Sequence, residues 1–205
     1  MVANRLNKGH LTTMPDQTET AFVPHPDKVS PRGAVVIIGM AGAGKTTIGR
    51  ELSNIIGWPQ IDCDHLIEST YGANLQEVTN RLTKDEFLDL EGLVIRSLKI
   101  QHAIISTGGS VVYRPKTMEY LSSLGPIIYI DVSLPIILER IARKPERGLA
   151  IAPGQTIEDL YNERMVLYRR FADFAVKGGD AHPGKYAAEI AAWLTSPGKK
   201  TNRQI

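Results

Sequence analysis
The chain has 205 residues, 42% hydrophobic and 22% charged, with a formal net charge of +2. That is enough apolar material for one compact domain with a real core, and the near-balanced charge favours neither a nucleic-acid nor a membrane surface as partner. The single cysteine, Cys63, excludes a disulfide framework and fits a reducing, cytoplasmic setting, while no stretch is long and apolar enough to span a bilayer and no secretory h-region opens the chain.

Residues 1–32 are polar, carry Pro15, Pro24, Pro26 and Pro31, and show no hydrophobic period; they read as a poorly ordered extension. The domain itself is expected over 33–196. It opens with the β-branched run Ala34–Ile38, a strand, followed by Gly39-Met40-Ala41-Gly42-Ala43-Gly44-Lys45-Thr46 and a helix over Lys45–Ile56. This is the pattern G-x-x-x-x-G-K-S/T in its required strand–loop–helix setting. The glycines let backbone N–H groups turn inward toward a triphosphate, and the helix start adds its positive dipole end. Lys45 would reach the β- and γ-phosphates and the Thr46 hydroxyl would hold Mg²⁺. The expected ATP contacts are Gly39, Ala41, Gly42, Ala43, Gly44, Lys45, Thr46 and Thr47.

A second strand, Pro59–Asp62, runs into Asp62-Cys63-Asp64. Two carboxylates at a spacing of two point the same way if the chain stays extended, and they repel unless a cation or donors stabilise them. Mg²⁺ would do this for Asp62, leaving Asp64 to face a substrate hydroxyl as acceptor or base. The alternative is a solvated turn with Asp64 capping a helix that starts at His65. Helices are expected over 65–71, 75–82 and 85–100, then a strand over Ala103–Thr107. Its end, Ser106-Thr107-Gly108-Gly109-Ser110, is either a plain turn or a place where paired glycines let the γ-phosphate and its acceptor approach the backbone. A helix over Pro115–Ser123, a strand over Ile127–Ile130 and a helix over Pro135–Arg143 follow. Asp131, after the apolar run Pro126–Ile130, is the rival of Asp62 for the metal-side acid. The basic stretch Arg140–Gly148 leads into a loop through Gly154; residues 144–155 suit a mobile lid closing over phosphates, or an ordinary solvated loop.

On the helix Ile157–Ala172, Arg164 shares the apolar stripe of Ile157, Leu160, Leu167 and Phe171. A guanidinium there needs an anionic partner. Glu91 lies similarly among Phe87, Val94 and Leu98. Each is either a ligand contact or a structural or snorkelling charge. A short strand over Phe174–Val176, a helix over Gly184–Leu194 and a polar tail over 197–205 complete the chain. Strands alternating with helices predict a three-layer α/β/α fold on a five-stranded parallel sheet, with ligands at the carboxyl ends of the strands.

Together, Gly39–Thr46, Asp62-Cys63-Asp64, Phe87 with Glu91, Thr107-Gly108-Gly109, Arg147, and Glu163-Arg164 with Leu167-Tyr168 and Ala172-Asp173 resemble the shikimate kinase family of P-loop kinases, over about residues 33–194. The resemblance implies that Asp62 helps with the metal and that Asp64 binds the acceptor hydroxyls and serves as base. It implies that Arg164 binds the acceptor carboxylate, that the lid Arg147 contacts phosphates during transfer, and that Arg140 packs on adenine. Glu91, Gly108, Gly109 and Ser110 complete the implied acceptor site. Lys45, Asp64 and Arg147 are the implied catalytic set. The chain also departs from the family pattern. Leu88 stands where the family has a carboxylate-gripping Arg, Ser110 where it has a third glycine, and Arg147-Gly148-Leu149-Ala150 where the lid reads R-P-L-L. The expected activity is transfer of the γ-phosphoryl of ATP, with Mg²⁺, to shikimate or a similar hydroxy acid by a monomer. A gluconate-kinase-like polyol kinase and a non-catalytic nucleotide-binding regulator are the alternatives.

Overall fold
Five short runs form one all-parallel sheet: β1 (Val35–Ile38), β2 (Gln60–Asp62), β3 (Ile104–Ser106), β4 (Ile127–Asp131) and β5 (Phe174–Lys177), in the order β2-β3-β1-β4-β5. The computed structural model describes residues 33–143 and 148–196; the expected extension 1–32, the tail 197–205 and Arg147 lie outside the described residues. Every residue of β1 is buried, as a central parallel strand covered on both faces must be, so it reads as an unbroken apolar run rather than an alternating one.

Among the described residues eight helices surround the sheet: α1 (Lys45–Ile56), α2 (Cys63–Tyr71), α3 (Leu75–Asn80), α4 (Lys84–Ser97), α5 (Pro115–Leu124), α6 (Leu134–Ala142), α7 (Ile157–Phe171) and α8 (Pro183–Thr195), with a 3₁₀ turn at Val111–Tyr113. The connection from β1 to β2 passes one way across the sheet, and that from β3 to β4 passes the other way over β1. Right-handed crossovers then place α1 and α5 on opposite faces, which gives the expected three layers; α8 packs beside α1. The main core gathers Ile37, Leu52, Ile105, Met118 and Leu121 around the sheet. A smaller cluster of Ile67, Leu75, Val78, Phe87, Val94 and Ala150 joins α2, α3 and α4.

Ser106 pairs with both Ile37 and Asp62 across the register. The ends of β1, β2 and β3 are therefore level, and the segments that follow them emerge at one edge. Boundaries differ from the sequence reading where capping decides. The chain does not stay extended through Asp62-Cys63-Asp64: α2 already starts at Cys63, with Asp62 as its N-cap, so Asp64 sits on a helix and the spacing-of-two argument fails. Helix α4 starts at Lys84 because Thr83 and Glu86 form a capping box, and it ends at Ser97 rather than 100. The 3₁₀ turn after the paired glycines was not expected from the sequence.

Candidate active site
The loop after β1 ends at Gly44, whose φ of 93° lies in the left-handed region that only glycine enters cheaply. No side chain caps α1, and its first turn carries no acid, so its leading N–H groups face the cleft as an anion site. Lys45 Nζ donates to the carbonyls of Gly39 and Met40, each at 2.9 Å. Burial holds this ammonium below its ordinary pKa, against the opposing pull of Asp64 and Asp62. The Thr46 hydroxyl donates to Asp62 Oδ2 at 2.6 Å, while Asp62 Oδ1 accepts from the amides of Asp64 at 3.0 Å and His65 at 3.4 Å. Gln60, which carried no sequence signal, and Ser106, which opens the segment Ser106–Ser110, brace this corner. Gln60 donates to the Thr46 carbonyl at 2.8 Å, and Ser106 to the Lys45 carbonyl at 3.3 Å.

Arg140 donates to the carbonyls of Gly42 at 3.0 Å and Gly179 at 2.6 Å, fixing it beside the loop. Asp131, the rival metal-side acid, is not free for that task. It ends β4, is bound by Lys177, and has Arg169 at 3.8 Å and the Tyr129 hydroxyl at 3.2 Å.

Across the cleft, Asp64, Glu91, Gly108, Gly109, Ser110 and Arg164 come together. Arg164 is 1% exposed, yet among the described residues it makes no ion pair. Its guanidinium donates to the Ala150 carbonyl at 2.8 Å and the Tyr113 hydroxyl at 3.3 Å. Arg164 lies over the Tyr113 ring at 5.2 Å and Lys84 Nζ over the same ring at 4.7 Å. Neither Tyr113 nor Lys84 carried a sequence signal. A methyl group on Gly109 would lie 3.1 Å from Arg164 Nη1 and 3.2 Å from the Ala41 amide; it would fit only if these neighbours gave way by a few tenths of an ångström. The Tyr168 hydroxyl holds the Gly109 carbonyl at 2.6 Å. Burial pushes the Asp64 carboxyl above its ordinary pKa, opposed chiefly by Lys45. The Ser110 hydroxyl donates to Glu91 Oε2 at 2.8 Å. Leu88 is buried at 3% exposure. A cleft of about 630 Å³ runs from the loop at Ala41–Thr47 past Asp64 and Gly108–Ser110 to Arg164, with Arg140 at one side and Gly148–Ala150 at another. That volume suits a small ligand.

A sequence model described as shikimate kinase matches residues 41–195. The chain belongs to the shikimate kinase family. It is 34% identical over 170 residues to the shikimate kinase of Aromatoleum aromaticum, covering 82% of this chain and 97% of that one. It is likewise 34% identical over 151 residues to that of Paracidovorax citrulli, covering 71% and 82%. The structure of the shikimate kinase from Acinetobacter baumannii in complex with shikimate superposes with a TM-score of 0.76 at 27% identity, over 82% of this chain and 96% of that one. The enzyme from Aquifex aeolicus gives 0.66 at 27% identity, over 78% and 95%. The fold is that of a P-loop kinase, and the family makes this chain a phosphotransferase that uses ATP and acts on a hydroxyl group. Among the described residues no helix is long and apolar enough to cross a membrane.

Proposed function
We propose that the cleft transfers the γ-phosphoryl group of ATP to a hydroxyl of shikimate. The observation that carries this reading is the placement of Gly109 between the Ala41 amide and Arg164. It sets a phosphate-binding loop and a buried guanidinium, which has no ion-pair partner among the described residues, on either side of one glycine. An acceptor bearing both a carboxylate and a hydroxyl bridges these two features. Lys84 and Arg164 on the Tyr113 ring add positive potential where that carboxylate would lie.

Thr46 and Asp62 offer two hard oxygen donors side by side. Such a pair fits Mg²⁺, which keeps waters and takes its remaining ligands from phosphate. When bound, Mg²⁺ neutralises charge on the phosphates. Lys45 stabilises the transferring group, Arg164 anchors the carboxylate, and Asp64, raised in proton affinity by burial, orients the hydroxyl and takes its proton. The loop amides and Thr47 bind the phosphates, and Arg140 borders the base. Exclusion of water, the competing acceptor, is the role the family resemblance gives to Arg147 and the lid, of which residues 144–147 lie outside the described residues. Because the transition state is loose, positioning and electrostatics supply most of the catalysis. The reading takes the enzyme to be a monomer of the cytoplasm.

A panel of hydroxy acids and polyols with ATP and Mg²⁺, read as ADP release above the no-acceptor rate, tests this. Shikimate is expected to give the highest kcat/KM. A polyol such as gluconate outperforming it would overturn the acceptor assignment.

A further inference from the structure
Leu88 and Ser110, the two departures from the family pattern on the acceptor side, both bear on Glu91. Leu88 precedes Glu91 by three positions on α4, so the two are neighbours on one helix face. Ser110 donates its hydroxyl to Glu91 Oε2 at 2.8 Å. The other oxygen, Oε1, is buried and has no hydrogen-bond partner among the described residues. It lies directly behind Gly108, a glycine of the cleft wall: a methyl group on Gly108 would lie 2.1 Å from Glu91 Oε1 and 3.0 Å from Asp64 Oδ1. Two carboxyl oxygens thus press on the same cleft-lining glycine.

The charged groups facing Glu91 are Asp64 from α2, Arg164 from α7 and Lys45 from α1. Neither cation hydrogen-bonds to it: Lys45 donates to Gly39 and Met40, and Arg164 donates to Ala150 and Tyr113 and turns Nη1 toward Gly109. An ionised carboxylate at 1% exposure, with one oxygen unsatisfied and a second carboxylate beside it, is costly. A proton on Oε1 removes the charge and turns the orphan acceptor into a donor. An arginine at position 88 would have supplied the charge that keeps Glu91 ionised; leucine supplies none. A glycine at 110 would have left Oε2 unsatisfied as well; serine fixes that oxygen and leaves Oε1 toward Gly108.

We propose that Glu91 works as a neutral carboxylic acid that donates a hydrogen bond from Oε1 to an oxygen of the acceptor, with Leu88 leaving it uncharged and Ser110 setting its orientation. This rests on the phosphoryl-transfer reading above. In agreement, burial first and Asp64 second push the Glu91 carboxyl up to about 7, against Ser110, Arg164 and Lys45.

The test is the pH profile of kcat/KM for shikimate between pH 5.5 and 8.5, with kcat/KM for ATP followed in parallel. The parent enzyme should lose about tenfold per pH unit above about pH 7 on the acceptor side. Glu91→Gln, a permanently neutral donor, should be several-fold slower at pH 6 but flat to pH 8.5, where it overtakes the parent. Glu91→Ala, with no donor, should be slow throughout. Leu88→Arg should shift the midpoint of the fall at least one unit toward acid, whatever its absolute rate. A Glu91→Gln profile parallel to the parent's overturns the proposal. If circular dichroism shows that variant unfolded, an unmoved midpoint in Leu88→Arg overturns it instead. Transfer to shikimate without these pH effects sinks this inference alone. Failure of transfer, together with no shikimate binding by calorimetry at pH 6, sinks the function reading and this inference with it.

Discussion
Gly108 shapes the acceptor site by what it lacks. Its α-carbon faces Glu91 Oε1 so closely that a single methyl group would sit at 2.1 Å, well inside contact distance. The obstacle is a carboxyl already tied to Ser110, so it cannot swing aside without losing that bond and disturbing Asp64. Gly108→Ala is therefore expected to raise KM for the acceptor at least tenfold while KM for ATP changes less than twofold, as steady-state kinetics with each substrate varied will show. An equal rise in both would place the damage in the nucleotide loop instead. Gly44 makes a different demand. Its constraint is dihedral rather than spatial, since a side chain there would have room but the wrong φ.

Helix α4 buries Phe87, Leu88 and Glu91, with Phe87 lining the cleft, and its start is defined by the Thr83–Glu86 box, with the Thr83 hydroxyl accepting from the Glu86 amide at 3.3 Å and the Glu86 carboxylate accepting from the Thr83 amide at 2.8 Å. Thr83→Ala should lower the melting temperature by about 2–4 °C and leave nucleotide affinity unchanged, since the cap lies on the surface away from the loop. The element pattern was legible because it is periodic. The unbroken run Ala34–Ile38 and the Arg164 stripe each announce their setting, and the P-loop is a contiguous word. Other features were not legible for stated physical reasons. Whether Asp62 ends a strand or caps a helix depends on the hydrogen bonds its side chain finds, which alternation does not encode. Asp131 looked like a metal-side acid because its partners, Lys177 and Arg169, lie far along the chain and meet it only when β5 pairs with β4. Tyr113 and Lys84 converge with Arg164 from three separate segments, and no spacing in the sequence could relate them.

The molecule as a whole places its catalytic edge where β2, β3 and β1 end level with one another, so the phosphate half and the acceptor half share a rigid floor. The acceptor half is built on the smaller core of α2, α3 and α4, and it carries a charge arrangement that links the site to global stability. A carboxyl whose folded pKa is raised contributes its stabilisation in full below its unfolded value of about 4.5 and loses it as pH rises through the folded value. For Glu91, at about 7, that loss falls between about pH 4.5 and pH 7. The melting temperature of the apo enzyme should accordingly decline across that interval relative to Glu91→Gln, with a constant difference above it. A difference independent of pH would mean that Glu91 is ionised throughout.

Cys63 opens α2 between the two aspartates; it is fully buried, and burial pushes its thiol well above the ordinary range. As the chain has no other cysteine, an alkylating reagent meets no reactive sulfur on the folded protein. Adduct formation would then count only the moments when α2 has lifted from the sheet, so the protein carries its own clock for breathing of the acceptor half.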